Sequence, residues 1–469
     1  MTGPPNKRSC FGCGLLKPGH VSVLLIRAEL KPTLRLAFPL IVLQLAQSAI
    51  GAVGPAIVGR VSEADQAVVG LGNALYFAVT VLGLGLVLGF DPLLAQAVGA
   101  GEHGRARGLC AQAGWLSMLA GIPLGLAVAA IAFAIPAFWL DDASGVMSRD
   151  YLLARLPSIF PFLAAAAARA YLQATDFTRP LLWSALVANV VHAPLAWWLA
   201  IECEMGAVGT AWAVSIANVF MAGVLVFAVY GKLQSKEAPS EIPLARPHGP
   251  TFRKALRLGT PLGLQLFAEV GVFTIVTVLC RMLGERVIAA HHVALTLATF
   301  SFQITLAIGA AAAVRVGHAV GNADHTAGVD LRPRYAGLAA VTSGLAISLT
   351  ASFLFVMFPA PLASVLTNDP DVIAAAVPLI LVASAFQLVD GAQAIGAGAL
   401  RGAGDTTMTF WVNALGHYAV GLPVGLVLAF VFDWGAVGLW WGLSAGLSMV
   451  AIALVYRFHR LSLRPIQRA

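Results

Sequence analysis

From Leu34 to Tyr456 the chain is an almost unbroken series of apolar runs, each long enough to cross a bilayer, and that series restricts the fold more than any motif does. A helix rises about 1.5 Å per residue, so roughly 20 apolar residues cover a hydrocarbon core of about 30 Å. Spans are predicted near 34–58, 67–98, 109–139, 151–173, 181–201, 206–230, 256–281, 287–316, 335–359, 373–398, 409–431 and 435–457. Charged residues make up 11% of the chain and hydrophobic residues 59%, whereas a soluble domain carries about 25% charged. The fold class is all-α integral membrane with twelve spans, and no remaining segment is long enough for an extramembrane catalytic domain.

The polar segments divide the chain. Residues 1–32 form a basic amino-terminal tail, 33–230 and 255–457 each hold six spans, 231–254 is the one long polar linker, and 458–469 is a carboxy-terminal tail. Lys and Arg collect on the linker side of the spans, at Arg105, Arg107, Arg179, Arg332, Arg334, Arg401, Arg457, Arg460, Arg464 and Arg468. Glu63, Asp65, Asp141, Asp142, Glu202, Glu204, Asp369, Asp371 and Asp433 collect on the other. The excess of positive charge on one side predicts that both tails and the linker face the cytoplasm. The net charge of +7 therefore reflects orientation in a membrane and gives no reason to expect a nucleic-acid partner. Cys10 and Cys13 form a C-x-x-C with no second pair at zinc spacing, so neither a disulfide framework nor a structural metal is expected.

The halves are repeats. A shift of 222 residues lays Leu34-Arg-Leu-Ala-Phe-Pro39 on Leu256-Arg-Leu-Gly-Thr-Pro261, and Ala97-Val-Gly99 with His103 on Ala319-Val-Gly321 with His325. At a shift of 229, Gly206-Ala-Val-Gly209 falls on Gly435-Ala-Val-Gly438. Six spans per half make the repeats parallel, related by an axis along the membrane normal, as in transporters. Within the seventh span Glu269 lies far from either headgroup layer. An intramembrane charge costs on the order of 3 kcal/mol by translocon scales, so Glu269 is expected to face a protein interior or a wet cavity and to hold an ion.

Several segments together resemble the multidrug and toxic-compound extrusion (MATE) family, in its bacterial NorM-like branch. They are Leu258-Gly-Thr-Pro-Leu through Phe-Ala-Glu269-Val, Ala289-Ala-His291-His-Val-Ala-Leu295, Arg315-Val-Gly-His318-Ala-Val-Gly321, Val389-Asp390-Gly-Ala-Gln393, Gly398-Ala-Leu-Arg401-Gly402-Ala-Gly-Asp405 and Gln96-Ala-Val-Gly99. The resemblance covers the chain from about residue 33. It implies a V-shaped twelve-helix monomer in a bacterial plasma (inner) membrane, using a Na+ or H+ gradient and no other cofactor to expel organic cations or amphiphiles. It also implies a cation site at Glu269 and Asp390, with no other metal. The spans agree, since apart from Asp91 these are the only carboxylates they enclose. Gln393 is three residues from Asp390 and is expected to hold it.

The amino half departs from the family pattern. Gly54 and Ala193 stand where many members carry Asp, Gln47 is the repeat partner of Glu269, Asn189 is retained, and His192 is read as a satisfied packing residue. Gln47 and Asn189 are taken as supporting residues, and Asp91, Arg401, Gly402 and Asp405 as clamps or turns. Two rivals are a lipid-linked oligosaccharide flippase of the same superfamily and an intramembrane prenyl or acyl transferase. The flippase would need a cationic cavity, and the basic residues weighed for one, Arg169, Arg281 and Arg315, each lie near the end of a span. The transferase would need a cluster such as D-x-x-x-D, and none occurs, so no enzyme is expected.

Overall fold

The computed structural model describes residues 18–59, 62–138, 142–234, 239–323 and 330–469. Cys10, Cys13, most of the amino-terminal tail, Asp141, residues 235–238 and His325 lie outside the described residues. Twelve helices are long and apolar enough to cross a membrane: α1 (Leu25–Val58), α2 (Glu63–Gly99), α3 (His103–Phe138), α4 (Ala143–Ala174), α5 (Arg179–Glu202), α6 (Gly206–Gln234), α7 (Gly249–Met282), α8 (Glu285–Gly321), α9 (Arg332–Met357), α10 (Pro370–Gly402), α11 (Thr406–Val431) and α12 (Gly435–Leu461). No strand occurs among the described residues.

The predicted spans all fall inside these helices, apart from a residue or two at their ends, and the helices run on into polar sequence. Their ends show why. Ser62 caps α2 by accepting from the Ala64 and Asp65 amides at 3.1 and 3.4 Å, and Asp65 in turn accepts from the Ala207 amide at 2.5 Å, capping α6 from a neighbouring helix. Helices also extend beyond their apolar stretches: α4 starts at Ala143, eight residues before the start that hydropathy predicts. The linker shortens correspondingly, because α7 begins at Gly249. Its described part is bound to α3: Gln112 donates to the Pro243 and Arg246 carbonyls (2.6 and 2.9 Å) and accepts from the His248 amide (2.8 Å), while Trp115 donates to the Leu244 carbonyl (3.1 Å).

At the linker face one apolar core runs through both halves, joining Leu94, Ala97 and Leu172 of the amino half to Ala255, Ile308, Ala311 and Ile395 of the carboxy half. At the far end the cores separate. Val58, Val68, Val69 and Ala211 pack within the amino half, and Val276, Ala294, Phe386 and Trp440 within the carboxy half. The arrangement is a V that is closed at the linker face.

Where the halves meet, α2 and α7 cross backbone to backbone through Gly85 and Gly89 of one and Gly259 and Gly263 of the other. A Cβ on Gly263 would come 2.8 Å from the Leu82 carbonyl oxygen and one on Gly259 2.5 Å from that of Leu86. Only glycine permits this approach, the small-xxx-small packing used between membrane helices. Polar links gather at the same face. Arg315 pairs with Glu29 (2.5 Å), Arg401 approaches Asp91 (3.7 Å), Gln96 donates to the Gly402 carbonyl (3.0 Å), and Arg468 binds Glu102 (2.9 Å) and the Gly321 carbonyl (2.5 Å).

The repeat extends into detail that the aligned strings do not cover. Asn189 of α5 and Asn413 of α11 each donate to the carbonyl four residues earlier, at Ala185 and Thr409, both at 2.9 Å. His192 and His417 follow them one turn later, both buried. A π-helical stretch over Leu415–Gly421 lies within the segment where the register between halves changes.

Candidate functional site

Glu269 lies six residues beyond Gly263 on α7, about 9 Å further along the axis, on the side where the two cores separate. One of its oxygens, Oε1, accepts from Gln265 Nε2 one turn earlier (3.0 Å) and from Gln393 Nε2 of α10 (3.0 Å). Gln393 also reaches Asn413 Oδ1 on α11 at 3.1 Å, so three helices are drawn to one carboxylate. Tyr418 of α11 donates to the Ala268 carbonyl (2.9 Å) and fixes α7 beside it. Gln265, Gln393 and Asn413 are all buried.

Asp390 sits one turn before Gln393, buried, within reach of the Glu269 charge, and takes no hydrogen bond from a described residue. The sequence expectation that Gln393 holds Asp390 is therefore corrected. Spacing on α10 allows that bond, but the Gln393 amide points across to α7 and binds Glu269. Among the described residues no basic side chain lies within ion-pair distance of either acid, and no group of three His, Cys, Asp or Glu gathers that could hold a metal ion. Two amide bonds to a charged group contribute about 1.5–3 kcal/mol each, against burial of two like charges whose repulsion alone is of order kcal/mol at an effective dielectric of about 20. A proton or a hard monovalent cation removes that repulsion. The available ligands are oxygens, which do not favour transition metals.

The other expected supporting residues lie elsewhere. Asn189 donates to the Ala46 carbonyl (3.0 Å) as well as to Ala185, tying α5 to α1, and Gln47 reaches Met221 Sδ at 4.0 Å. Neither is brought to the acid pair. Asp91, Arg401, Gly402 and Asp405 are linker-face clamps, with Arg457 bonded to Asp405 at 2.8 Å. His291 is a satisfied packing group, since Trp440 Nε1 donates to its Nδ1 (3.2 Å) and Thr277 Oγ1 lies 3.1 Å from its Nε2.

Two residues of the amino half escape the sequence reading. His192 is fully buried, but neither ring nitrogen has a partner, so it is not the satisfied group expected. Arg155 is 6% exposed and lies twelve residues into α4, about 18 Å from its end, at a break over Leu156–Ser158. The predicted fourth span, starting near residue 151, puts it close to an end, where a basic residue is unremarkable. The extension of α4 to Ala143 puts three turns of helix between it and that end. Its guanidinium carbon stands 4.1 Å from the centroid of the Tyr76 ring, its Nε has no partner, and no carboxylate among the described residues pairs with it. A cation–π contact contributes roughly 0.5–2 kcal/mol, less than the cost, on the order of 3 kcal/mol or more, of a charge at this depth.

Twelve spanning helices in two parallel repeats, with a junction at one face and unpaired acids at depth between helices, define a membrane transporter rather than an enzyme. The sequence profile of the MatE family matches residues 39–198 and 261–427, and the two matches begin at the same displacement as the internal repeat. The chain belongs to the MatE family, in its NorM-like bacterial branch. It is 34% identical over 446 residues to a probable multidrug resistance protein NorM of Bradyrhizobium diazoefficiens, covering 93% of this chain and 94% of that one. A protein of the same description from Deinococcus radiodurans is 35% identical, covering 92% and 95%, and the multidrug resistance protein PmpM of Pseudomonas aeruginosa 32%, covering 95% and 94%. The fold matches the outward-facing conformation of a multidrug resistance MATE family transporter with a TM-score of 0.84 at 16% identity, covering 94% and 98% of the two chains. It matches the eukaryotic MATE transporter AtDTX14 with a TM-score of 0.79 at 21% identity, covering 92% and 96%.

Proposed function

We propose that the protein is a secondary active multidrug exporter, in which inward movement of Na+ or H+ drives organic cations or amphiphiles out of the cell by alternating access. The observation that carries this reading is the acid pair, with Glu269 held by Gln265 and Gln393 and Asp390 left without a partner. Entry of the cation neutralises the pair and favours the conformation with low drug affinity. Drug binding from the other side favours cation release, because each ligand has a different affinity for the two states. The relatives named above are multidrug resistance proteins, which supports the export reading over the flippase and transferase readings. The same reading places a monomer in the inner membrane with both tails and the linker in the cytoplasm.

The test is transport by reconstituted protein in vesicles with imposed ion gradients. Glu269→Gln and Asp390→Asn remove charge at nearly constant volume, so both variants are expected to insert and fold but to lose gradient-driven accumulation of a cationic dye. Wild-type dependence on sodium and pH in both variants would place the coupling site elsewhere.

A further inference from the structure

The halves are tied at the linker face in two ways. The linker joins them by chain, running from the end of α6 into α7. By the repeat, its counterpart is the segment that follows α12, residues 462–469, and the axis relating the halves sets the two on opposite sides of the seam. This tail crosses the seam by hydrogen bonds. Ile466 roots it in its own half, 9% exposed and packed with Leu400 and Ala403 of α10 and Phe458 of α12. The residues beyond Ile466 reach the other half. Arg468 gives one nitrogen to Glu102, in the turn after α2, at 2.9 Å, and another to the Gly321 carbonyl at the end of α8, at 2.5 Å. The Ala469 amide donates to Gln96 Oε1 of α2 at 2.7 Å, while Gln96 Nε2 donates to the Gly402 carbonyl of α10 at 3.0 Å. Both ends of the Gln96 amide are thus engaged across the seam, and one guanidinium spans it.

A tail that only covered apolar surface would need Ile466 and nothing beyond it. Arg468 and Ala469 add bonds to the opposite half, which can form only while the seam is closed. Those bonds are also suited to parting. Glu102 has a second cation in its own half, Arg105 at 3.0 Å, so departure of Arg468 leaves no unpaired acid. The Gly321 carbonyl ends a helix and has no partner within it, and the Arg468 side chain is 34% exposed, so water can replace each on separation. The glycine crossing of α2 on α7 is different, because main chain meets main chain there and no solvated alternative exists. The tip of the tail can therefore leave while its root at Ile466 stays docked.

We propose that residues 462–469 form a latch on the linker face. Docked, the latch favours the conformation closed at that face, and Arg468 and Ala469 must leave α2 and the turn after it before the face opens. The linker is then the hinge and the tail the catch on the other side of the seam. The inference rests on the exporter reading only for the requirement that this face opens at all.

Two readouts on full-length, otherwise thiol-free protein test the latch. In nanodiscs, spin labels at Gln467→Cys and Arg179→Cys report docking of the tail, and labels at the linker-face ends of α2 and α10 report opening. The parent protein is expected to give one narrow tail distance. Arg468→Ala and Gln96→Leu should each broaden it and raise the population open at the linker face about fivefold or more. Arg464→Ala, whose side chain is exposed and bonds no described residue, should change neither. A tail distance unchanged in both variants, a freed tail with no gain in the open population, or an equal effect of Arg464→Ala overturns the latch. In vesicles, Glu102→Cys and Arg468→Cys joined by a reducible bis-methanethiosulfonate spacer should halt gradient-driven dye transport until a reductant is added. Transport that continues while the two are joined also overturns it. Absence of transport in the unjoined protein defeats the exporter reading instead, and the spin-label distances then decide the latch on their own.

Discussion

Gln393 shows what a single side chain can settle. Its amide joins Glu269 to Asn413 and is the bond by which α10 and α11 hold the α7 carboxylate. Gln393→Leu keeps the volume but removes a donor to a charged group, a change worth about 1.5–3 kcal/mol. The concentration of driving ion giving half-maximal transport is expected to change by about tenfold or more, with dye affinity at saturating ion within about twofold of wild type. Equal ion curves for variant and wild type would show that the bond has no part in coupling. Glu269 was legible in the sequence because a lone acid in an apolar run is conspicuous, whereas its partners were not. Spacing along α10 assigns Gln393 to Asp390, and only the packing of α10 on α7 shows the amide turning the other way. Arg155 was obscured for a different reason, since hydropathy gives the centre of a span more reliably than its ends.

Among the helices, the crossing of α2 and α7 decides how the halves fit. Four glycines let the backbones approach, and each Cβ added there would meet main chain rather than a side chain able to move away. Gly263→Val is expected to leave each bundle folded and to force the linker face apart, raising the population of the opposite conformation about tenfold or more, which corresponds to about 1.4 kcal/mol. Spin-label distances between the linker-face ends of α2 and α7, measured in nanodiscs, check this; an unchanged distribution would mean that the crossing yields without cost. The number of helices could be read from hydropathy because lipid requires every spanning segment to satisfy its own backbone. The glycines could be seen but their roles could not, since nothing in a single sequence says which glycine faces which.

For the whole molecule, orientation is the open quantity. Ala245 in the linker is exposed at one face, and Cys203, at the end of α5, is exposed at the other. In thiol-free protein, an impermeant maleimide added to intact cells should label a variant retaining Cys203 and spare one carrying Ala245→Cys, with the pattern inverted in inside-out vesicles. The reverse pattern would turn the molecule over and place the linker outside.

The linker itself has a mechanical consequence. Gln112 and Trp115 pin it to α3 as far as His248, and α7 begins at the next residue, so no slack remains between the bundles. A joint without slack permits rotation and forbids sliding. The carboxy bundle is therefore expected to turn about a pivot near Gly249 and not to slide past its neighbour, so reporters flanking Gly249 should keep one separation while reporters at the far ends of the two arms change theirs.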